Sequence, residues 1–251
     1  MHRSKIEWVL NPDNKTLGWV WNPITGCLNG CEYCYARKLA NGRLKPRYTS
    51  NSFLPTHDEP DHEAHHNNPF YPRFWPSKIL QPWDIHGKLK PKGIFVCNMS
   101  DLFGIGIPEK WTGDVLDVIR FSKTHRFYLL TKQPQNLEKF SPFPKNCWVG
   151  ATATNQKEMD RAIKVFDKLK KKVNNILFIS CEPLMEKIET DLSCIDWIII
   201  GGRSKSKGMP AGQPKWIWVE DLIWQAREND VPVYAKPNLT VLPKEYPKAI
   251  K

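Results

Sequence analysis

The sequence lacks any apolar run approaching the ~20 residues that a membrane-spanning helix needs, and its longest strongly apolar segment is 197–200. The first residues include no apolar stretch of the kind that a secretory signal peptide requires. The seven cysteines are odd in number and three of them are clustered, which fits a reducing compartment better than a disulfide framework. We therefore expect a cytoplasmic protein with no membrane partner.

Acidic residues are also scarce relative to basic ones, since 37 Lys and Arg stand against 26 Asp and Glu, for a formal net charge of +11. An excess of this size attracts polyanions without specifying a fold. It favours nucleic acid as a partner and leaves the oligomeric state open.

Three cysteines, Cys27, Cys31 and Cys34, lie within eight positions and indicate a metal site. A zinc ribbon would need a second cysteine pair or histidines at regular spacing downstream. An iron–sulfur cluster usually has four cysteine ligands, so three would leave one iron with an open coordination position. Two alternatives remain: unrelated buried thiols, or a zinc or electron-transfer centre. The other cysteines are expected to be core or strand-end thiols: Cys97, Cys147, Cys181 and Cys194.

The pattern Cys-x3-Cys-x-aromatic-Cys, with Tyr33 as the aromatic residue, resembles the signature of the radical S-adenosylmethionine (SAM) superfamily. The resemblance implies that Cys27, Cys31 and Cys34 bind an oxygen-sensitive [4Fe-4S] cluster whose fourth iron is chelated by SAM. It further implies reductive cleavage of SAM to methionine and a 5′-deoxyadenosyl radical, which abstracts hydrogen from a substrate. The electron would come from an external flavodoxin- or ferredoxin-like donor.

Apolar strands alternate with amphipathic helices along the chain, which predicts an α/β fold with a parallel sheet. We expect a first strand at 17–21 leading to the cysteine loop, then a helix over 31–40. The alternation predicts a single domain over 1–251, a partial (β/α)6-type barrel of the kind typical of the radical SAM superfamily. Further strands are predicted at 94–97, 127–130, 148–151, 176–179, 197–200 and 231–235.

Residues 43–92 interrupt this alternation, because eight prolines leave little room for long regular elements. We expect an irregular insertion whose aromatic residues pack over the barrel or help to form a lid. Its histidines, His57, His62, His65 and His66, mix with acidic residues. A second metal site is an alternative there, and a solvated acidic loop is the favoured interpretation.

Polar residues follow the predicted strands, where the active site of a β/α barrel lies. By the resemblance, Asn98, Ser100 or Asp101 contacts the SAM amino group, and Thr152 or Thr154 meets its ribose. The other candidates for cofactor binding are Glu182, Gly201 and Gly202, since the glycine pair permits close backbone approach to adenine or carboxylate. Helix capping alone is the competing explanation for such residues. No catalytic residue is assigned.

A closer resemblance, to a phage-associated radical SAM family of largely unassigned function, rests on segments spread over the chain. They are 4–8, 21–27, 99–103, 130–132, 180–184 and 201–202. The chain departs from that family in having fewer residues between the first two cysteines and in having Arg203 where Glu is common.

Basic residues follow the glycine pair at Arg203, Lys205 and Lys207. They either bind phosphate or form an ordinary solvated loop. Lysines at 168–172 are expected on the opposite face, without a catalytic role. We therefore predict a radical SAM enzyme acting on a nucleic acid or nucleotide. The alternatives are a peptide or small-metabolite substrate, or a non-catalytic iron–sulfur barrel that binds nucleic acid.

Overall fold

The parallel strands of this protein coincide with its apolar runs, as expected for strands that are buried on both faces. A computed structural model describes residues 1–55, 61–83, 90–205, 210–239 and 243–248. The chain forms two compact units, residues 1–129 and 130–251. The single domain over 1–251 stays a prediction.

The first unit begins with short strands and continues through the insertion to a long helix. Its elements are β1 (His2–Arg3), β2 (Trp19–Trp21), β3 (Ile24–Thr25), α1 (Tyr35–Asn41), α2 (Lys45–Thr49), α3 (His62–Asn67), β4 (Arg73–Phe74), β5 (Gly93–Val96), α4 (Glu109–Phe121) and the start of β6 (Arg126–Thr131). A 3₁₀ turn, Pro76–Lys78, follows β4.

The sheet of the first unit is parallel except at its edge. Strand β2 pairs parallel with β5, with Val20 opposite Phe95, and β5 pairs parallel with β6. The short strand β1 runs antiparallel to β2. The β2 and β5 strands therefore end at the same edge of the sheet, and the cysteine loop follows β2 after one more short strand, β3.

The insertion is built from short helices and one short strand that pairs back to the core of the unit. Strand β4 runs antiparallel to β3, with Ile24 opposite Phe74 and Thr25 opposite Arg73. This pairing joins residues about fifty positions apart in sequence. It places the end of the insertion beside the start of the cysteine loop.

The second unit repeats the strand–helix alternation with four parallel strands in the order β7, β8, β9, β10. Its elements are β7 (Cys147–Thr152), α5 (Gln156–Lys170), β8 (Ile176–Cys181), β9 (Trp197–Ile200), α6 (Trp216–Glu228) and β10 (Val233–Ala235), with 3₁₀ segments Pro134–Phe140 and Pro237–Leu239. Helix α5 buries the predicted apolar stripe, including Met159 and Phe166. Asn155 caps it by accepting the Glu158 N–H at 2.9 Å.

The predicted α/β class with a mostly parallel sheet is confirmed, and the alternation is that of the predicted (β/α)6-type barrel. The helix predicted over 31–40 begins later, at Tyr35, because Cys34 is its N-cap. The segment Pro134–Phe140 is a 3₁₀ helix. Within the described part of the chain, no helix combines the length and apolarity required to cross a membrane.

Candidate cluster and cofactor-binding residues

The cysteine loop is held in place by backbone hydrogen bonds to the insertion and to the loop after β5. The Gly26 N–H donates to the Met99 carbonyl at 2.9 Å, and the Cys27 N–H donates to the Phe70 carbonyl at 2.9 Å. Gly26 has φ +87°, and a Cβ there would lie 2.2 Å from the Tyr71 carbonyl oxygen. Glycine is therefore required at the first position of the loop for both conformation and space.

The three loop thiols are partly exposed, whereas the other four cysteines are buried. Each of two loop thiols accepts a backbone N–H: Cys27 from Asn29 at 3.5 Å and Cys34 from Arg37 at 3.3 Å. None of the seven cysteines, all of which lie in described ranges, is in a disulfide. Backbone N–H donors of this kind stabilise and tune thiolate ligands of iron–sulfur clusters.

An apolar wall lies behind two of the three thiols. It consists of a buried cluster against which Cys27 and Cys34 both pack: Ala36, Ala40, Tyr48, Phe70 and Met99. Because these residues come from α1, α2, the insertion and the loop after β5, the wall is assembled from four parts of the chain. It would exclude water from one side of a group bound to the thiols.

Burial, followed by the charge of the neighbouring Asp101 carboxylate, raises the pKa of the Cys27 thiol to about 12. The thiol is therefore protonated at neutral pH when no metal is bound. Since the thiolate is the ligand, loading a metal centre must release this proton.

In the described ranges, no group of three or more His, Cys, Asp or Glu side chains is placed to hold a single metal ion. Those ranges include His62, His65 and His66, whereas His57 lies outside them. Within the insertion, the His65 ring stacks on Tyr71, with centroids 4.0 Å apart. The ligands of an iron–sulfur cluster differ from those of a single ion, because each thiolate binds a different iron. Three thiols on one loop, two of which accept backbone N–H groups, fit that larger group.

The residues predicted at the end of the second strand lie beside the cysteine loop. The Ser100 hydroxyl donates to the Gly26 carbonyl, and Asp101 accepts from the Asn29 side chain at 2.8 Å. Asp101 is buried and also accepts the Phe103 N–H at 3.1 Å. These contacts make Ser100 and Asp101 supports of the loop, and contact with a SAM amino group stays a prediction.

Asn98 is joined to both ends of the loop region. Its side-chain oxygen accepts from Asn22 at 2.8 Å, and its backbone carbonyl accepts from the Tyr35 hydroxyl at 2.7 Å. Tyr35 directly follows Cys34 and is 47% exposed. The amide and the phenol therefore form a polar rim next to the third cysteine.

In the second unit, the two predicted ribose residues differ in what they already bind. Thr154 donates its hydroxyl to Glu158 at 2.8 Å and its N–H to the same carboxylate at 2.7 Å. Lys132 lies 3.8 Å from that carboxylate. Thr152 ends β7 and is buried. Thr154 is thus bound to the first turn of α5, whose N-cap is Asn155, and the ribose role of both threonines stays a prediction.

The ends of β8, β9 and β10 bring together Glu182, the glycine pair and two residues of the last strand end. The Lys236 ammonium donates to the Glu182 carboxylate, and the Lys236 side chain is only 10% exposed. A Cβ on Gly201 would lie 2.9 Å from the Lys236 side chain. Glycine at 201 therefore lets this ion pair pass close to the backbone of β9.

Gly202 is bound on both backbone groups by one side chain. Asn238 donates to the Gly202 carbonyl at 2.8 Å and accepts its N–H at 3.3 Å. Beyond it, Arg203 forms an antiparallel bridge with Gly212, and its Nε donates to the Pro210 carbonyl at 3.3 Å. Lys205 is exposed, and Lys207 lies outside the described residues.

Comparison with known proteins assigns the family. A family model described as a protein of unknown function (DUF5131) matches residues 3–241. The chain belongs to this family. No curated protein matches it.

Two solved structures are similar to the chain, each at 12% identity. One is a single mutant of spore photoproduct lyase; the match covers 86% of this chain and 76% of that one, with a TM-score of 0.49. The other is a double mutant of spore photoproduct lyase with bound AdoMet and dinucleoside spore photoproduct; the match covers 86% and 75%, with a TM-score of 0.46.

Sequence reasoning missed three supports of these sites. Asn22 and Asn29 hold the loop through side-chain amides, and Arg73 is completely buried in β4. The Arg73 guanidinium donates to the carbonyls of Asn51 at 3.1 Å, His66 at 2.6 Å and Asn68 at 2.9 Å. Burial lowers its pKa. No sequence pattern marks a buried arginine bound to carbonyls, whereas asparagines flanking a cysteine loop are a signal that could have been used.

Proposed function

We propose that this protein is a radical SAM enzyme in which Cys27, Cys31 and Cys34 bind a [4Fe-4S] cluster. The observation that carries the proposal is the loop itself. Its three thiols are partly exposed and outside disulfides, while the other cysteines are buried. Two of the thiols receive backbone N–H donors from the same short segment.

Bound together, the cluster and SAM would supply reductive cleavage of SAM and a 5′-deoxyadenosyl radical able to abstract hydrogen. The chain's own residues would orient the bound groups and shield them from water. Cys27 and Cys34 stand against an apolar wall, which excludes water from one side of the loop. Asp101 fixes Asn29 between the first two cysteines, so the spacing of the thiols is held from the loop after β5.

For SAM binding, we propose Asn98, Ser100 and Asp101 in the first unit. Their support is proximity, since each bonds to a residue at or next to the cysteine loop. In the second unit, the proposed residues are Thr152, Thr154, Glu182, Gly201 and Gly202. Their support is their position at the carboxyl ends of parallel strands, where α/β proteins place ligands.

The proposed substrate is a nucleic acid or nucleotide, supported by the formal net charge of +11. A one-electron donor of the flavodoxin or ferredoxin type is the proposed protein partner, in a reducing, cytoplasmic compartment. A substrate of this class predicts binding that weakens steeply with salt.

Anaerobic reconstitution with iron and sulfide tests the proposal. The wild-type chain should bind about four irons, show cluster absorbance, and release 5′-deoxyadenosine when reduced with SAM present. Alanine at any one of Cys27, Cys31 or Cys34 should abolish the product. Cys194→Ala is the matched control, because Cys194 is buried and outside the loop.

Iron binding without SAM cleavage would contradict the enzymatic part of the proposal. It would favour the iron–sulfur barrel that binds nucleic acid without catalysis. Cluster absorbance that survives loss of Cys31 would contradict the ligand assignment itself.

A further inference from the structure

The insertion places two cations and two aromatic rings in one group, here called the basic cluster: Arg47, Tyr48, Trp75 and Lys78. The Lys78 ammonium lies 3.8 Å from the centroid of the Trp75 ring, and the Arg47 guanidinium carbon lies 5.7 Å from it. The Tyr48 ring packs against the same tryptophan, with centroids 5.8 Å apart. One indole thus holds both cations in position.

The basic cluster is fastened to the strands that lead into the cysteine loop. The Trp75 N–H donates to the Pro23 carbonyl at 2.8 Å, and its indole N–H donates to the Thr25 hydroxyl at 2.8 Å. Thr25 is two positions before Cys27. The Trp21 indole N–H donates to the Lys78 carbonyl at 2.7 Å, which ties Lys78 to the end of β2.

Trp75 also packs against the apolar wall that contacts Cys27 and Cys34. The basic cluster and the proposed iron site therefore share one support. A group bound at Arg47 and Lys78 would be held by a tryptophan that is hydrogen-bonded to Thr25, two positions before Cys27.

No acidic residue in the described ranges pairs with the cations of the basic cluster. Among the residues that the structure describes, neither Arg47 nor Lys78 forms an ion pair. Burial, followed by the charge of Arg47, lowers the pKa of Lys78 to about 8. Like charges near one another repel, and an anion that contacts both cations would relieve that repulsion.

We propose that the basic cluster binds a phosphate group of the substrate, either a phosphodiester of a nucleic acid strand or the phosphate of a nucleotide. Arginine offers a fork of donors and lysine a point charge, the pair of groups that proteins use for phosphate. The net charge of +11 favours a polyanion over an isolated carboxylate. The proposal deepens the proposed function and rests on it, because the bound phosphate belongs to a substrate only if the protein is an enzyme. Phosphate binding itself does not depend on enzymatic activity.

Binding of short labelled single-stranded DNA to the reconstituted, unreduced protein tests the proposal, over a series of salt concentrations. The test variant is Arg47→Gln with Lys78→Gln. The matched control is Lys110→Gln with Arg120→Gln, which removes one lysine and one arginine from the exposed face of α4. Thermal unfolding of each variant shows whether it is folded.

The test variant should bind at least ~10-fold more weakly than wild type. The slope of log affinity against log salt should fall by about 1.4, at ~0.7 per lost phosphate contact. Restoring charge with Arg47→Lys and Lys78→Arg should recover most of the affinity, which a purely structural role would not predict. Equal losses in the test and control variants would overturn the proposal.

A mononucleotide and a polyglutamate are the competitors that identify the ligand. Competition by the mononucleotide at similar concentration would assign the site to a nucleotide phosphate, and competition only by longer strands would assign it to nucleic acid. Competition by polyglutamate equal to that by DNA would overturn the assignment to phosphate. Because no reduction is involved, failure here is separate from failure of SAM cleavage, which the 5′-deoxyadenosine assay reports.

Discussion

The strand ends of the two units differ in how strongly their polar groups are already bound to other residues of the chain. In the second unit, Thr154 is bound to Glu158, and Glu182 is bound to Lys236. In the first unit, Cys27 and Cys34 accept backbone N–H groups at 3.5 and 3.3 Å, and all three loop thiols stay partly exposed. The partly exposed thiols are accessible to a metal centre, whereas Thr154 and Glu182 would contact a ligand in addition to the partners that they already bind. The proposed metal site therefore lies in the first unit.

The largest effect is expected in the first unit, at Gly26, where the cysteine loop begins. Gly26→Ala should abolish cluster loading and lower the free energy of unfolding by more than ~3 kcal/mol. The reason is a Cβ 2.2 Å from the Tyr71 carbonyl oxygen, added to the strain of φ +87°. Denaturant unfolding measures the loss of stability, and iron analysis measures cluster loading.

Gly30→Ala is the matched control, because Gly30 has φ +75° and no atom within 4 Å of an added Cβ. It should lose about 1–2 kcal/mol, the strain of the left-handed conformation alone. Equal losses at the two glycines would show that space around the loop plays no part.

The next largest effect should be in the second unit. Lys236→Met removes the ammonium that pairs with the Glu182 carboxylate at a site where the lysine is almost completely buried, at a cost of about 3 kcal/mol. Lys171→Met, which breaks an exposed pair with Asp167, should cost less than about 0.5 kcal/mol. Urea unfolding compares the two. Similar small losses would mean that the strand ends of this unit are not fully satisfied.

Asp101→Asn should weaken the cysteine loop without unfolding the chain. The amide keeps one acceptor but loses the charge that binds Asn29 and faces Cys27. Removing an outer support of metal ligands typically costs 10–100-fold in metal affinity. Iron retention against a chelator measures it, with Asp114→Asn on α4 as control. Unchanged iron retention would show that Asp101 does not support the cysteine loop.

The smallest effect concerns pH. Lys78 faces Arg47, Cys97, His2 and the amino group of Met1, and its pKa is lowered to about 8. Its charge is therefore present below pH 8 and lost above it, so DNA affinity should fall several-fold between about pH 7 and pH 9. A phosphodiester keeps its charge over this range. In Lys78→Arg the fall should vanish, and an equal fall in both proteins would exclude Lys78 as its source.

Local pattern was enough to predict the parallel strands, because each is a mostly buried apolar run. It also predicted that the cysteine loop and the polar residues after β5 follow strand ends, while their metal and SAM-binding roles stay predictions. The start of α1 was misplaced because a thiol at Cys34 caps the helix, a role that sequence statistics give to Ser, Thr, Asp and Asn.

Long-range pairing was beyond the reach of local pattern. No sequence pattern in the proline-rich insertion predicts that Arg73 pairs opposite Thr25, or that the Trp75 indole donates to the Thr25 hydroxyl. These contacts depend on how a segment folds back over about fifty residues. They are also the contacts that bring the basic cluster to the cysteine loop, so this part of the site needed a structure.

The most direct test of the central claim is the EPR spectrum of the reduced, reconstituted protein with and without SAM. An open iron on a cluster held by Cys27, Cys31 and Cys34 predicts that SAM changes the signal, and that 5′-deoxyadenosine then accumulates. A four-iron signal that SAM leaves unchanged would contradict the account, because it would mean that no coordination position is open.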